Sequence, residues 1–287
     1  FEKNTFKREK NAVLSEMENI GGDSIENLIP IAVFGESDYG DPIEGYEDTV
    51  NSISKEELEE FKIKFYSAKN ISLLIEGMFN ENHLNIVRKN FSSLESTDVT
   101  RKTPTRLSGS DIVKKINFGK HIYYSKSFEI DLFEVDFSTL QSFIWLVSGT
   151  SHSLVLDIFR KRYGISYDIS FELSGLYPDR AILSLIIRGY RKNKDKLIEK
   201  AYSELIHEIM SKNFEKYIEY ARRPLKFSYE KIKTDLYTRL DVESVTIPWI
   251  GKTLDDFYSK INSIKQIDVL KILDSLKNER IVKLIPG

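Results

Sequence analysis

Ser151–Arg188 reads SHSLVLDIFRKRYGISYDISFELSGLYPDRAILSLIIR. Its beginning predicts a helix from Ser151 to Arg162, with Gly164 as the C-terminal stop. Beyond the glycine, Ile165 to Leu173 and Ala181 to Arg188 alternate apolar and polar residues, the period of strands with one buried face. Helix followed by strands in so short a stretch predicts a mixed α+β chain and argues against a repeat array.

The same mixture continues outward. Ile112–Ile116, His121–Tyr124 and Phe128–Phe137 are candidate strands upstream. Downstream, Lys192–Lys212 carries Leu197, Ala201, Leu205 and Ile209 on one helical stripe. Phe214–Leu240 predicts a long helix kinked or broken at Pro224. A short helix, Ile264–Leu276, then precedes a last strand, Arg280–Ile285. Toward the N-terminus, Thr5–Ile20 predicts a helix stopped by Gly21-Gly22, and the apolar stretch Ile25–Phe34 is interrupted by Pro30. Turn formers fill Gly35–Gly45. Ser54 and Glu57 form a capping box that opens another helix. Asn70–Met78 predicts a buried strand and Asn82–Phe91 a short helix. From Ser92 to Asp111 the pattern dissolves into Ser, Thr, Pro and Gly, which predicts an interdomain linker. The division is therefore residues 1–95, a linker over 96–111, and residues 112–287.

Composition narrows the partners. The 287 residues hold 42 Lys+Arg against 44 Asp+Glu, a formal charge of −2, which offers no net electrostatic reason to expect nucleic acid or an anionic membrane. No apolar run approaches the ~20 residues of a membrane-spanning helix. With 41% hydrophobic and 12% aromatic residues there is ample material for a core. There is no Cys, so disulfides, thiolate nucleophiles and thiolate metal sites are all excluded. Zero Cys is compatible with any compartment, and cytoplasm is the default.

Any zinc site must then use His and carboxylates. His207-Glu208 begins a His-Glu-x-x-His motif, but Ser211 stands where the second His belongs, and His83, His121 and His152 complete no motif either. Glu9 and Glu16 lie seven residues apart on the first helix, facing within about 20° of each other and separated by a rise of about 10 Å. One small ion cannot easily take both as direct ligands. Glu16 could ligate while Glu9 orients a partner, or both could simply decorate a solvated helix. Arg160 and Tyr167 flank the turn at Gly164, so a tight return can bring them together. A guanidinium and a phenol offer donors suited to carbonyl or carboxylate oxygens. The plainer alternative is an Arg favourable to a helix C-terminus and a Tyr packed on a sheet.

Taken in order, these segments resemble the M16 family of zinc metallopeptidases, of the pitrilysin and mitochondrial-processing-peptidase type. Glu9-Lys-Asn-Ala-Val-Leu-Ser-Glu16 is similar to the family's paired glutamates. Pro42, Gly45, Val50, Ile53, Leu58, Phe61, Phe65, Tyr66, Asn70, Leu73 and Gly77 follow the order of its next elements. Gly149 and Ser151, then Arg160-Lys-Arg-Tyr-Gly164-Ile-Ser-Tyr167, resemble its Arg-Glu-x-x-Gly-Leu-x-Tyr element. The resemblance implies two similar domains, each a mainly antiparallel sheet packed with helices, the first one truncated. It implies a zinc endopeptidase acting on peptides or unfolded polypeptides, with Glu16 as metal ligand and Glu9 in a supporting catalytic role. Arg160 and Tyr167 would bind substrate, with peptide held as an added strand on a sheet edge.

One departure is large. The family's His-x-x-Glu-His helix does not occur in the 287 residues. The chain is expected to be a fragment of an active enzyme, one subunit of a split protein, or a degenerate homologue. Alone it is expected to bind zinc weakly and cleave nothing. Its expected partners are a peptide substrate and either further subunits, identical or different, or the missing segment. The competing reading is a noncatalytic scaffold that binds peptide or an active subunit.

Overall fold

The computed structural model describes residues 2–20, 24–99, 108–117 and 119–287. The predicted Gly21-Gly22 stop and the middle of the predicted linker, residues 100–107, lie outside them. The N-terminal third supplies helices α1 (Lys3–Ile20), α2 (Ile25–Phe34), α3 (Glu47–Ser52), α4 (Lys55–Phe65) and α5 (Glu81–Phe91). Strands β1 (Ile112–Ile116) and β2 (Ile122–Asp131) follow, then α6 (Phe137–Ser148) and a π-helical segment over Leu156–Arg162. Next come β3 (Asp168–Leu176), β4 (Arg180–Tyr190), α7 (Asp195–Met210), α8 (Phe214–Thr234), α9 (Leu236–Ile250), α10 (Leu254–Ser263), α11 (Gln266–Ser275) and β5 (Lys277–Pro286).

The five strands form one sheet in the order β1-β5-β2-β4-β3. β1 and β5 run parallel and every other pair is antiparallel, so the mainly antiparallel α+β expectation holds. Alternation divides the sheet residues between two faces. Leu183, Leu185 and Ile187 of β4, with Ile169 and Phe171 of β3, join the main core beneath α6, α7, α8 and α11. Ile182 and Ile186, with Val282 and Leu284 of β5, form the opposite face and are covered by α2.

Helix α2 is the element that unites the chain. Ser24 Oγ caps it, accepting from the Asn27 N–H at 3.2 Å. Pro30 forgoes one internal hydrogen bond, yet Ile25, Leu28, Ile29, Ala32, Val33 and Phe34 are all buried, which outweighs that loss. The sheet beneath is kept shallow by small side chains. Ser184 lies between Ile182 and Ile186, and its Oγ meets that of Ser127 across the strands at 2.8 Å. Where the chain returns over α2, Gly109 packs so tightly that a Cβ there would sit 2.0 Å from the Ala32 carbonyl oxygen.

Several expectations need correction. Asn70–Met78 is neither strand nor buried core: it has no regular secondary structure, no ladder partner runs beside it among the described residues, and Leu73 is exposed. His121–Tyr124 and the start of Phe128–Phe137 are one continuous strand, β2, while Phe137 already begins α6. That helix is buried on almost every side, so it lacks the amphipathic period that reveals most helices; only the Asp136 cap, accepting from Thr139 N–H at 3.0 Å, marks its start. The long C-terminal helix is not broken at Pro224 but continues past it, held by the buried face of Ala221, Leu225 and Tyr229. Its break comes at Asp235, whose carboxylate caps α9. Helix α10 escaped notice despite a capping box at Thr253 and Asp256.

Tyr177 closes the β3–β4 connection against the α2 end. Its ring lies 4.5 Å from that of Tyr39, and its hydroxyl donates to the Tyr39 carbonyl at 2.6 Å. Burial pushes the phenol up to about 12. A raised folded-state value favours the protonated form, so this contribution is complete below the unfolded tyrosine value of ~10. It is lost as pH climbs from there through 12. Denaturation midpoints should therefore fall over that window, and Tyr177→Phe should flatten the fall; an unaltered alkaline profile in the variant would dismiss Tyr177 as its source.

Candidate functional site

Arg160 and Tyr167 meet. The π-helical segment ends in a turn at Gly164, whose φ of 57° is the left-handed conformation glycine adopts without strain. This return lays the Arg160 guanidinium over the Tyr167 ring at 4.3 Å from its centroid. Tyr167 is 80% exposed, so the stacked pair faces solvent instead of filling the core. A widened helical turn of this type is uncommon and recurs at functional sites.

The pair borders an open recess of about 740 Å³ at the end of the sheet. Gly164 and Gly189, both at positive φ, line it without side chains. The charged lining is mostly cationic: Lys161, Arg188, Arg191 and Lys194 join Arg160, with Asp168 as the single carboxylate. Arg188 is already engaged, reaching Glu172 at 2.8 Å and Glu26 at 3.0 Å. Burial pulls its guanidinium down, but these bonds carry it above its ordinary value. Arg162, next to the recess, is likewise committed, to Glu204 at 2.5 Å and Asp157 at 2.9 Å. Its bond to Glu204 raises it first of all, and burial only partly opposes.

β3 is an edge strand, the position from which a peptide can extend a sheet. Part of that edge is taken internally, because Ser148 Oγ accepts the Phe171 N–H at 2.8 Å. A bound peptide would thus find fewer backbone partners along the middle of β3 than near Tyr167.

The glutamate pair makes no comparable site. Glu9 and Glu16 both sit on α1 and are exposed, and Glu9 is paired with its neighbour Arg8 at 2.7 Å. Among the described residues no three His, Asp or Glu side chains converge as a metal site would require. His83 accepts from the Asn80 N–H at 3.1 Å in a helix cap; His121 and His152 stand exposed in loops and His207 on α7. A catalytic zinc needs three protein ligands, and these residues do not supply them. The donors present do not fit the group.

Sequence reasoning missed Arg191 and Lys194 as neighbours of the Arg160 pair. The signal was the basic run Arg188-Gly-Tyr-Arg-Lys-Asn-Lys194 directly after a predicted strand. No helix among the described residues is long and apolar enough to cross a membrane.

Comparison with known proteins places this geometry. A curated relative, an uncharacterized zinc protease YmxG of Bacillus subtilis (strain 168), is 28% identical over 99 residues, which is 33% of this chain and 24% of that protein. The chain thus matches about a quarter of that relative's length. The peptidase M16 inactive domain from Pseudomonas fluorescens superposes with a TM-score of 0.80 at 15% identity, covering 100% of this chain and 71% of that one. A chain of complex III2 from Candida albicans superposes at 0.79 with 13% identity, covering 96% and 70%. Likenesses at such identities speak for the fold alone. The family described as peptidase M16 inactive domain matches residues 52–225, well over half of the sequence. That span includes α4, the sheet's β1–β4 and the Arg160–Tyr167 recess, and this chain belongs to the peptidase M16 family.

Proposed function

We propose that this chain is the peptide-gripping portion of an M16-type endopeptidase and that it hydrolyses nothing by itself. The observation that carries this reading is the exposed Arg160–Tyr167 stack at the mouth of an open recess beside an edge strand. A guanidinium presents fixed donors to peptide carbonyl oxygens, the phenol adds a donor and an apolar face, and neither is committed to a carboxylate. Zinc, which the family reading requires of the complete enzyme, would be held with ligands beyond those described in this chain. Glu16, exposed on α1, remains available as one of them, and Glu9 as its neighbour. In the same reading residues 1–95 and 112–287 are separate units, with α2 borrowed by the second.

Labelled unfolded peptides should bind the 287-residue chain without being cleaved. Arg160→Ala should weaken that binding about tenfold, the loss of one charge-assisted contact with its positioning. Fluorescence anisotropy reads the affinity, and mass spectrometry of the recovered peptide reads the absence of cuts. Undiminished binding in the Arg160 variant would withdraw the site. Stoichiometric tight zinc in the isolated chain would contradict the metal reading. The noncatalytic alternative is favoured by the family's own description as an inactive domain. It predicts that supplying a His-x-x-Glu-His segment in trans restores no cleavage.

A further inference from the structure

Resting on the gripping reading above, we propose that the recess selects a carboxylate on the bound peptide, held by Arg191 and Lys194 beside Arg160. The argument begins with the balance of charge. The whole chain carries −2, yet five Lys and Arg side chains line this one recess against Asp168 alone. Two of the five are compensated within the fold. Arg188 is held by Glu172 and Glu26, with Asp168 a further 3.7 Å away. Lys161 stands 3.6 Å from Asp157.

The other three have no carboxylate partner among the described residues. Arg160 stacks on Tyr167, and Arg191 and Lys194 lie in the turn between β4 and α7. The single acid lining the recess, Asp168, stands 3.7 Å from Arg188 and is outnumbered by these three cations. Elsewhere some cations are paired, as Lys283 with Asp195 at 2.8 Å and Lys277 with Glu134 at 2.8 Å. What sets these three apart is that they gather around one concavity, which Gly164 and Gly189 line without side chains to obstruct a ligand's anion. Fields from like charges add within a Debye length, and a concave wall strengthens them.

The anion must arrive on the peptide that the Arg160–Tyr167 pair grips. It is either an acidic side chain or a free C-terminal carboxylate, and both present the same two oxygens to the same donors.

Three labelled peptides of one length and one neutral sequence test this by anisotropy at low ionic strength. One is acetylated and amidated, one carries a single Glu, and one keeps its C-terminal carboxylate. At least one acidic arm should bind about tenfold tighter than the neutral peptide, the sum of several partly exposed ion pairs, and high salt should remove the difference. Which arm gains tells a side-chain pocket from a chain-end pocket. The double variant Arg191→Gln/Lys194→Gln should bring the ratio to about one, while Arg191→Lys/Lys194→Arg should retain it. Equal affinity for all three peptides, or a ratio that survives the Gln variant, overturns the selectivity and leaves the grip standing. Failure of every peptide to bind overturns both.

Discussion

Replacing Arg180 with Met should lower the unfolding free energy by about 3–5 kcal/mol, measured by urea denaturation. Arg180 opens β4 and crosses to β2, with Nη1 2.7 Å from Asp131 and Nε 3.1 Å from Glu129. The Nε contact is close enough for an ion pair but not aligned as a hydrogen bond. Glu129 is 5% exposed, and its other oxygen accepts from Asn278 Nδ2 at 2.5 Å, so it cannot swing into water when the guanidinium goes. The substitution therefore leaves a buried carboxylate without its guanidinium, and desolvation, not the lost attraction, sets the size of the effect. Lys126 offers the internal contrast. It is buried, but Glu199 and Glu279, its partners at 3.1 and 2.9 Å, are about half exposed and can rehydrate. Removing Glu129 together with Arg180 should recover much of the loss. A single Arg180 variant within about 1 kcal/mol of the parent, the size of a surface pair, would show that water reaches Glu129 after all.

Phe34→Ala should cost a similar amount, about 3–5 kcal/mol, by deleting a buried aromatic and leaving a cavity. Phe34 has no exposed surface. Its ring meets Tyr39 at 5.3 Å and Tyr177 edge-on at 5.4 Å, so three aromatic rings fasten the end of α2 to the β3–β4 connection. Because α2 covers a sheet built from residues far along the chain, its loosening should also expose that sheet. Limited proteolysis should accelerate in parallel with the drop in denaturation midpoint. A loss under about 1 kcal/mol would mean that α2 rides on the sheet without stabilising it.

The sequence was most readable where one local rule suffices. Ser54 and Glu57 announced α4, and the alternation in Ile165–Leu173 and Ala181–Arg188 placed two strands correctly in kind, with ends shifted by a few residues. It was least readable where tertiary burial overrides the local pattern. Phe137–Ser148 is apolar nearly all round and carries no helical stripe, and Pro224 stops nothing because the face containing Ala221 and Leu225 is buried on both sides of it. Leu73 and Ile75 looked like core because they are apolar, but no ladder forms beside them among the described residues. The Arg160–Tyr167 encounter followed from the glycine between them, a local matter. The basic rim did not, because Arg191 and Lys194 reach the recess only through the pairing of β3 with β4.

The insertion of β5 between β1 and β2 has a consequence for how the molecule is made. Ile112 must find Val282, so the parallel ladder waits until β5 has left the ribosome. Pairings this distant in sequence form slowly. Until β5 arrives, β2 presents its long flank as an open template to any neighbouring chain. The nascent chain is thus most vulnerable to misassembly in the interval between emergence of β4 and that of the ten-residue β5. A chaperone that shields β2 would act within that interval.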